Sequence, residues 1–264
     1  MDKEDALAVE MPVNRLKRAL AGGQLQIGLW STLASHIAAE VSAGSGFDWL
    51  LLDIEHAPND VATVHRQLQA MQSSATSAVV RPAWNDAVII KRLLDVGTQT
   101  LLVPYVQSAE EAARAVAATR YPPVGGRGVA SMHRGNRYGR VDDYFRQADG
   151  EMCVLVQLET RRALSELEAI AAVDGVDGLF IGPSDLAGDL GYLGNNRHPE
   201  AVAVFADACA RAKKAGKPIG ILAPVEEDAR RYLEMGFRYV AVGSDIGVLR
   251  GAAEALRARF AGKA

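Results

Sequence analysis

Hydrophobic positions along the chain fall into short runs rich in Val, Ile and Leu, separated by longer stretches with helical spacing. Runs at 25-LQIGLWS, 47-FDWLLLDIE, 77-SAVVRPAW, 101-LLVPYV, 152-MCVLVQLE, 178-GLFIGPS, 217-KPIGILAP and 239-YVAVGS predict eight strands. Continuous apolar runs of this length are what strands buried on both faces look like. Between them, helices are expected over 32–44, 61–73, 86–97, 108–118, 161–172, 199–215, 225–236 and 247–261. Asn59-Asp60 and Asn85-Asp86 offer N-caps, while Gly97, Gly216 and Gly236 mark C-termini. Eight strand–helix units in 264 residues fit a (β/α)8 TIM barrel. A doubly wound sheet shares the alternation and is the competitor. Two connections, 119–150 and 184–198, are longer than usual, which points to function. No internal repeat or linker divides the chain, so 13–264 is expected to be one domain and 1–12 a disordered N-terminus.

Composition narrows the function classes. With 49% hydrophobic residues and a net charge of −3, the chain is neither disordered in character nor basic enough to favour nucleic acid. No apolar run approaches the roughly 18–20 residues of a membrane span, and the N-terminus lacks the apolar core of a signal peptide. A cytoplasmic location and no membrane partner are expected. Cys153 and Cys209 have neither disulfide nor metal-site spacing. Gly44-Ser45-Gly46 precedes a strand rather than following one, so it is no dinucleotide fingerprint. The run 127–146 holds five arginines and two tyrosines. In an acidic protein it fits a lid, a subunit contact or recognition of an anionic substrate better than RNA.

The candidate chemistry lies at the strand C-termini, the active face of a barrel. Trp30 ends strand one; Asp53, Glu55 and His56 end strand two; Arg81 strand three; Tyr105 strand four. Gln157 and Glu159 end strand five, Gly182-Pro183-Ser184-Asp185 strand six, Leu222 and Ala223 strand seven, and Gly243-Ser244-Asp245 strand eight. Glu159 and Asp185 stand on neighbouring strands, and two carboxylates without histidine or cysteine suit Mg2+ or Mn2+. Each could instead cap the helix that follows it. His56 has the position of a general base, although a lone loop histidine is often a packing residue. Asp95 could orient it, or could be a solvated helix-end carboxylate. Arg81 would stabilise an oxyanion, or form a salt bridge to Asp53 or Glu55. Backbone N–H groups at Ser184-Asp185-Leu186 could hold a substrate carboxylate. None of the seven lysines is at a strand C-terminus, which argues against imine chemistry.

These residues carry a resemblance. LLDIEHAPND, VVRPAW, IKRLLDVGTQTLLVPYV, TRYPPVGGRGV, VQLET and GLFIGPSDLA, in that order, resemble the HpcH/HpaI family of metal-dependent (class II) pyruvate aldolases over roughly 14–260. SMHRGNRYGRVDDYF, SDLAGDLGYLGNNRHPE and GKPIGILAPVEEDARRYLEMG most resemble members acting on 5-keto-4-deoxy-D-glucarate (2-dehydro-3-deoxyglucarate). The resemblance implies a (β/α)8 barrel with its C-terminal helix exchanged between subunits, in a homo-hexamer built as a trimer of dimers. It implies a divalent cation (Mg2+, Mn2+ or Co2+) on Glu159 and Asp185, His56 as base, and Asp95 as the acid that raises its basicity. Arg81 would stabilise the oxyanion; Gln157, Ser184 and Leu222 would contact the pyruvate half, and Trp30 the substrate. VRPAWND departs from the VRVPTNE usual in glucarate-type members, which puts Trp84 at the aldehyde pocket.

The expected reaction cleaves a 4-hydroxy-2-oxo acid to pyruvate and an aldehyde, here tartronate semialdehyde, whose distal carboxylate is expected to meet Arg127 or a neighbouring arginine of the 119–150 loop. Cleavage of 4-hydroxy-2-oxoheptanedioate or 2-keto-3-deoxy-L-rhamnonate is the alternative within enzymes. A non-catalytic barrel that binds an oxo acid is the alternative outside them.

Overall fold

The computed structural model describes residues 9–261. Eight parallel strands close in sequence order: β1 (Gln26–Ser31), β2 (Trp49–Asp53), β3 (Ser77–Arg81), β4 (Thr100–Val103), β5 (Cys153–Leu158), β6 (Gly178–Ile181), β7 (Ile219–Leu222) and β8 (Tyr239–Ser244), with β8 pairing back to β1. The expected (β/α)8 barrel is therefore the fold, and the open doubly wound sheet is excluded. Each expected strand is present, though most stop before the polar residues that end their runs.

Alternation along each strand assigns the two faces. Outward residues such as Leu50, Leu52, Val80, Val154, Val156 and Ile221 join the helices in the outer core. Inward residues Trp49, Leu51, Val79, Leu102, Leu155, Phe180 and Tyr239 fill the barrel. Two glycines make room for the largest of them: a Cβ on Gly28 would collide with the Trp49 indole, and one on Gly220 with the Tyr239 ring. The interior is thus a packed core rather than a channel.

The helices follow the expected pattern, with additions. α2 (His36–Ala43), α3 (Val61–Ala70), α4 (Ala87–Asp95), α5 (Ala109–Thr119), α10 (Pro199–Lys214), α11 (Glu226–Met235) and α12 (Asp245–Ala258) match expected helices. Asp60 caps α3 in a reciprocal capping box with Thr63, and Asp86 caps α4 through the amides of Val88 and Ile89. The helix expected over 161–172 is two, α7 (Arg161–Ser165) and α8 (Leu167–Ala171), because the backbone leaves helical geometry at Glu166 (φ −102°, ψ 8°).

Three helices escaped the pattern. α1 (Arg15–Ala21) places Leu16 and Leu20, one turn apart, against Trp49 and Leu51 and closes the floor of the barrel. α6 (Tyr144–Glu151) lies in the long 119–150 connection and packs Tyr144 and Ala148 on Tyr121 and Val141. α9 (Pro183–Asp189) opens the other long connection. Of the segment 1–12, residues 1–8 lie outside the described residues, whereas Val9 and Met11 pack on the α6 cluster.

Candidate active site

Strand parity sets which polar residues enter the barrel mouth. On β2 the inward series Trp49, Leu51 continues to Asp53; on β3, Val79 continues to Arg81. Asp53 and Arg81 are register partners on adjacent strands, so their side chains meet inside the sheet. Arg81 Nε donates to Asp53 Oδ1 at 2.9 Å and Nη2 to Oδ2 at 2.7 Å, a bidentate fork with both groups buried. The guanidinium lies over the Trp30 ring at 4.9 Å, and Trp30 Nε1 donates to Asp53 at 3.2 Å. Burial alone would push the Asp53 carboxyl up; the Arg81 contacts outweigh it and hold the group below the usual carboxylate range.

Asp53 also shapes the β2–α3 loop. Its Oδ1 accepts from the Glu55 amide at 3.0 Å and the His56 amide at 3.4 Å, and its carbonyl accepts from Asn59 Nδ2 at 2.7 Å. That loop brings Glu55 Oε2 to 2.8 Å from Arg81 Nη1. This contact is an ion pair, and Glu55 Oε2 is buried and takes no other hydrogen-bond partner. His56 stands at the rim with its side chain 64% exposed, Nε2 3.8 Å from Glu55.

On β5 the inward series Cys153, Leu155 runs on to Gln157 and Glu159. Glu159 does not cap α7, whose N-cap is Thr160; it is buried, accepting from Gln157 Nε2 at 2.9 Å and from the Tyr105 amide at 2.8 Å. Tyr105 reaches it from a left-handed backbone conformation (φ 55°). Burial pushes the Glu159 carboxyl up to about 8; the charges of Glu55 and Asp185 add to this, while the Tyr105 amide and Arg81 oppose it. Asp185 is exposed in the first turn of α9, whose N-cap is Gly182. Gly182 itself is required, because a Cβ there would lie 2.6 Å from Glu159 Cγ and 2.9 Å from Gln157 Nε2.

The structure thus brings together Trp30, His56, Arg81, Gln157, Glu159 and Asp185 at one end of the barrel, with Leu222 ending β7 and Ser184 beside Asp185 on the same end. Asp95 is not among them. It ends α4, at the opposite end of the barrel from His56, and pairs with Arg127 Nη2 at 2.9 Å. Arg127 is likewise away from the mouth of its own barrel. Its side chain is fully buried between Asp95 and the Tyr121 ring, 4.5 Å from the ring centroid, so the expected contact with a distal substrate carboxylate is not formed at this mouth. Asp245 is occupied as well: Ser31, Thr32 and Leu33 all donate to it.

The sequence offered Asp53 and Glu55 as salt-bridge partners of Arg81 and Tyr105 only as a strand-end residue, and it gave Gly182 no role. Strand parity favours Asp53 as the inward partner of Arg81. No sequence signal marks the left-handed Tyr105.

The donor set fits a hard divalent cation. Three carboxylates crowd the mouth, and the Arg81 guanidinium among them is already gripped by Asp53. Gln157 Oε1 is a buried acceptor with no hydrogen-bond partner, while Glu55 Oε2 is met by the Arg81 ion pair. Among the described residues no three His, Cys, Asp or Glu side chains form a metal cluster. Two carboxylates completed by water or substrate oxygens would be an arrangement Mg2+ accepts. The described lysines lie in α1, α4 and α10 or just before β7, away from the mouth.

Comparison with known proteins agrees with this geometry. The family model for HpcH/HpaI aldolase/citrate lyase matches residues 26–252. The chain is 56% identical to a 5-keto-4-deoxy-D-glucarate aldolase of Klebsiella pneumoniae over 94% of this chain and 96% of that protein. It is 57% identical to a 4-hydroxy-2-oxo-heptane-1,7-dioate aldolase of Salmonella dublin over 94% of both chains. A solved HpcH/HpaI aldolase/citrate lyase family structure from Burkholderia cenocepacia superposes with a TM-score of 0.91 at 41% identity, covering 94% of this chain and all of that one. With its closed barrel, its strand-end carboxylates and these matches, the chain belongs to the HpcH/HpaI aldolase/citrate lyase family.

Proposed function

We propose that the protein is a divalent-cation-dependent aldolase that cleaves a 4-hydroxy-2-oxo acid to pyruvate and an aldehyde. The observation that carries this is the buried Glu159 at the end of β5, fixed by the Tyr105 amide and Gln157 at the barrel mouth that also holds Asp185, Arg81 and His56. The substrate proposed is 5-keto-4-deoxy-D-glucarate, giving pyruvate and tartronate semialdehyde, in line with the name of the Klebsiella relative. 4-Hydroxy-2-oxoheptanedioate is the second reading, favoured by the Salmonella dublin relative. Both compounds carry the same 4-hydroxy-2-oxo unit and differ only beyond C4.

Glu159 and Asp185 would hold the cation, Mg2+, Mn2+ or Co2+, which when bound supplies Lewis acidity and a template for the substrate carboxylate and 2-oxo oxygen. His56, exposed at the rim, takes the 4-hydroxyl proton through a water, and the C3–C4 bond breaks. The electron pair left on C3 delocalises toward the 2-oxo oxygen. Arg81 meets that charge with N–H groups that Asp53 does not use. The aldehyde leaves, C3 takes a proton, and pyruvate forms. Gln157, the backbone at Ser184 and Leu222, and the Trp30 ring beneath Arg81 position the pyruvate half.

Assembly is part of the proposal. α12 exposes Ile246, Val248, Leu249 and Leu256, an apolar face that supports packing on a second subunit, and the assembly proposed is exchange of α12 in a trimer of dimers. No described helix is long and apolar enough to cross a membrane, and a cytoplasmic location is proposed. The test is pyruvate release, coupled to lactate dehydrogenase, from 5-keto-4-deoxy-D-glucarate, 4-hydroxy-2-oxoheptanedioate and 2-keto-3-deoxy-L-rhamnonate. Preference for the first supports the substrate proposed; preference for another retains the chemistry and replaces the substrate. Binding of oxo acid without cleavage of any would make the protein a non-catalytic barrel.

A further inference from the structure

We propose that a cavity at the floor of the barrel, lined by Arg15, Arg134 and Arg137, binds a small dianion whose acidic groups are carboxylates or phosphates. The cavity lies at the opposite end of the barrel from the mouth, so its occupant is a second ligand rather than a reactant. The inference stands apart from the aldolase reading.

The cavity has a volume of about 480 Å³, within the range of roughly 300–1,000 Å³ in which small-molecule sites fall. It opens where the chain enters β3 and β4, at Ser77 and Thr98, beside the start of α1 and the loop that carries Arg134 and Arg137. Its charged lining is three arginines and one carboxylate, Glu10, which leaves two positive charges in excess. Among the described residues no carboxylate lies within 4.0 Å of any of the three guanidiniums.

Each arginine is held there differently. Arg134 lies across the ends of two helices: Nη1 donates to the Val96 carbonyl just after α4 at 2.9 Å, and Nη2 to the Leu68 carbonyl of α3 at 3.2 Å. Gly97 lets it in, since a Cβ there would lie 2.5 Å from Arg134 Nη1. Burial, and after it the charge of Arg137, pushes the Arg134 guanidinium below its ordinary value, so the two cations are neighbours without a counter-ion. Arg137 stands in a left-handed backbone conformation (φ 53°) that continues into Tyr138 (φ 59°). Two successive non-glycine residues in that region are costly, and such strain collects at ligand clamps. Arg15, in the first turn of α1, is exposed, and its side chain meets only the Ala75 carbonyl, at 3.5 Å.

A second observation points the same way. Thr98 lines the cavity and is 2% exposed, yet its hydroxyl has no hydrogen-bond partner. A buried hydroxyl left unpaired is costly, and a ligand oxygen at the cavity wall would satisfy it. Guanidinium forks match the oxygens of carboxylates and phosphates. Two uncompensated positive charges suit an anion carrying two negative ones.

The test is isothermal calorimetry of the intact, chelator-treated protein with succinate, inorganic phosphate and acetate at constant ionic strength. Saturable binding of succinate or phosphate, one per chain and tighter than acetate, is expected, and the tighter of the two identifies the acidic group. Arg137→Asn removes the charge while asparagine tolerates the left-handed turn, and it should weaken binding about tenfold or more. Arg15→Glu, at an exposed position, should weaken it further. Neither variant should lower the melting temperature of the unliganded protein, and Asp185→Asn at the mouth should bind the anion as the wild type does. Absence of saturable binding by both dianions overturns the proposal. So does binding that survives both arginine substitutions, or that is lost in Asp185→Asn, which would put the anion at the mouth. Acetate binding as tight as that of the dianions would overturn the two-charge site.

Discussion

Arg81 and Asp53 face each other as register partners on β3 and β2, joined by two nearly parallel hydrogen bonds of 2.9 and 2.7 Å inside the barrel mouth. The pair does more than neutralise itself. Asp53 also receives the amides of Glu55 and His56, so the fork that orients the arginine fixes the loop carrying the proposed base. Asp53→Asn keeps the shape but removes the charge and leaves a buried guanidinium with one poor partner. It should cost about 3 kcal/mol or more in urea unfolding and lower kcat/KM for cleavage as well. A variant with wild-type stability would mean that the fork is not a buried ion pair in solution.

Arginine at position 81 should not be replaceable by lysine. A lysine supplies a point charge but cannot fork onto both oxygens of Asp53 while offering further N–H groups to a ligand. Arg81→Lys should therefore fall about 100- to 1000-fold in kcat. Its stability loss should be smaller than that of Arg81→Ala, which leaves Asp53 buried and unpaired. Parallel kinetics and urea titrations of the two variants check both orderings.

His56 offers the opposite combination. Its side chain is largely exposed, so His56→Asn should shift stability by no more than about 0.5 kcal/mol. As the proposed general base it should nonetheless lower kcat by about 100- to 10,000-fold. Measured cleavage close to wild type would transfer the base role elsewhere.

Glu159, the proposed cation ligand, would link the cation to pH. Its carboxyl is pushed up to about 8 in the folded, cation-free protein, from an ordinary value of 4.5. Between those values the folded protein holds a proton that the unfolded chain has released, so stability falls as pH rises through the window. Below pH 4.5 the group's contribution is fully present, since both states are protonated. A cation must displace that proton, so its affinity should rise with pH over the same range. Melting curves of chelated wild type and Glu159→Gln from pH 5 to about 8 should diverge, with the wild type losing ground as pH rises. Parallel profiles would contradict the buried, protonated Glu159.

Gly182 should be irreplaceable even by alanine. The added Cβ would overlap the Glu159 side chain and crowd Gln157, while the barrel strands on either side are untouched. Gly182→Ala should retain the far-ultraviolet circular dichroism of the wild type but lose cation binding, read by isothermal calorimetry with Mn2+. Unchanged Mn2+ affinity would show that Glu159 is not the ligand.

Much of this was legible in the chain. Strands such as 50-LLL and 154-VLV declare burial on both faces, and Asp60, Asp86 and Gly236 punctuate their helices as capping chemistry requires. The same residues at strand ends announced the mouth. What stayed hidden depends on three-dimensional neighbours. α1 is seven residues long and is held by the barrel floor rather than by its own periodicity. The sign of φ at Tyr105 follows from its place between β4 and Glu159, not from its type. Arg127, expected at the substrate's distal carboxylate, is enclosed within its own chain by Asp95 and the Tyr121 ring, neighbours that no local sequence pattern announces.

The central claim is that a divalent cation on Glu159 and Asp185 makes this barrel a pyruvate-forming aldolase. Its most direct test follows pyruvate released from 5-keto-4-deoxy-D-glucarate by chelator-treated protein, before and after addition of Mg2+, Mn2+ or Co2+. Release should be negligible after chelation, return with the cation, and fail to return in Glu159→Gln and Asp185→Asn. Full release from the chelated protein, or full restoration in either variant, would contradict it.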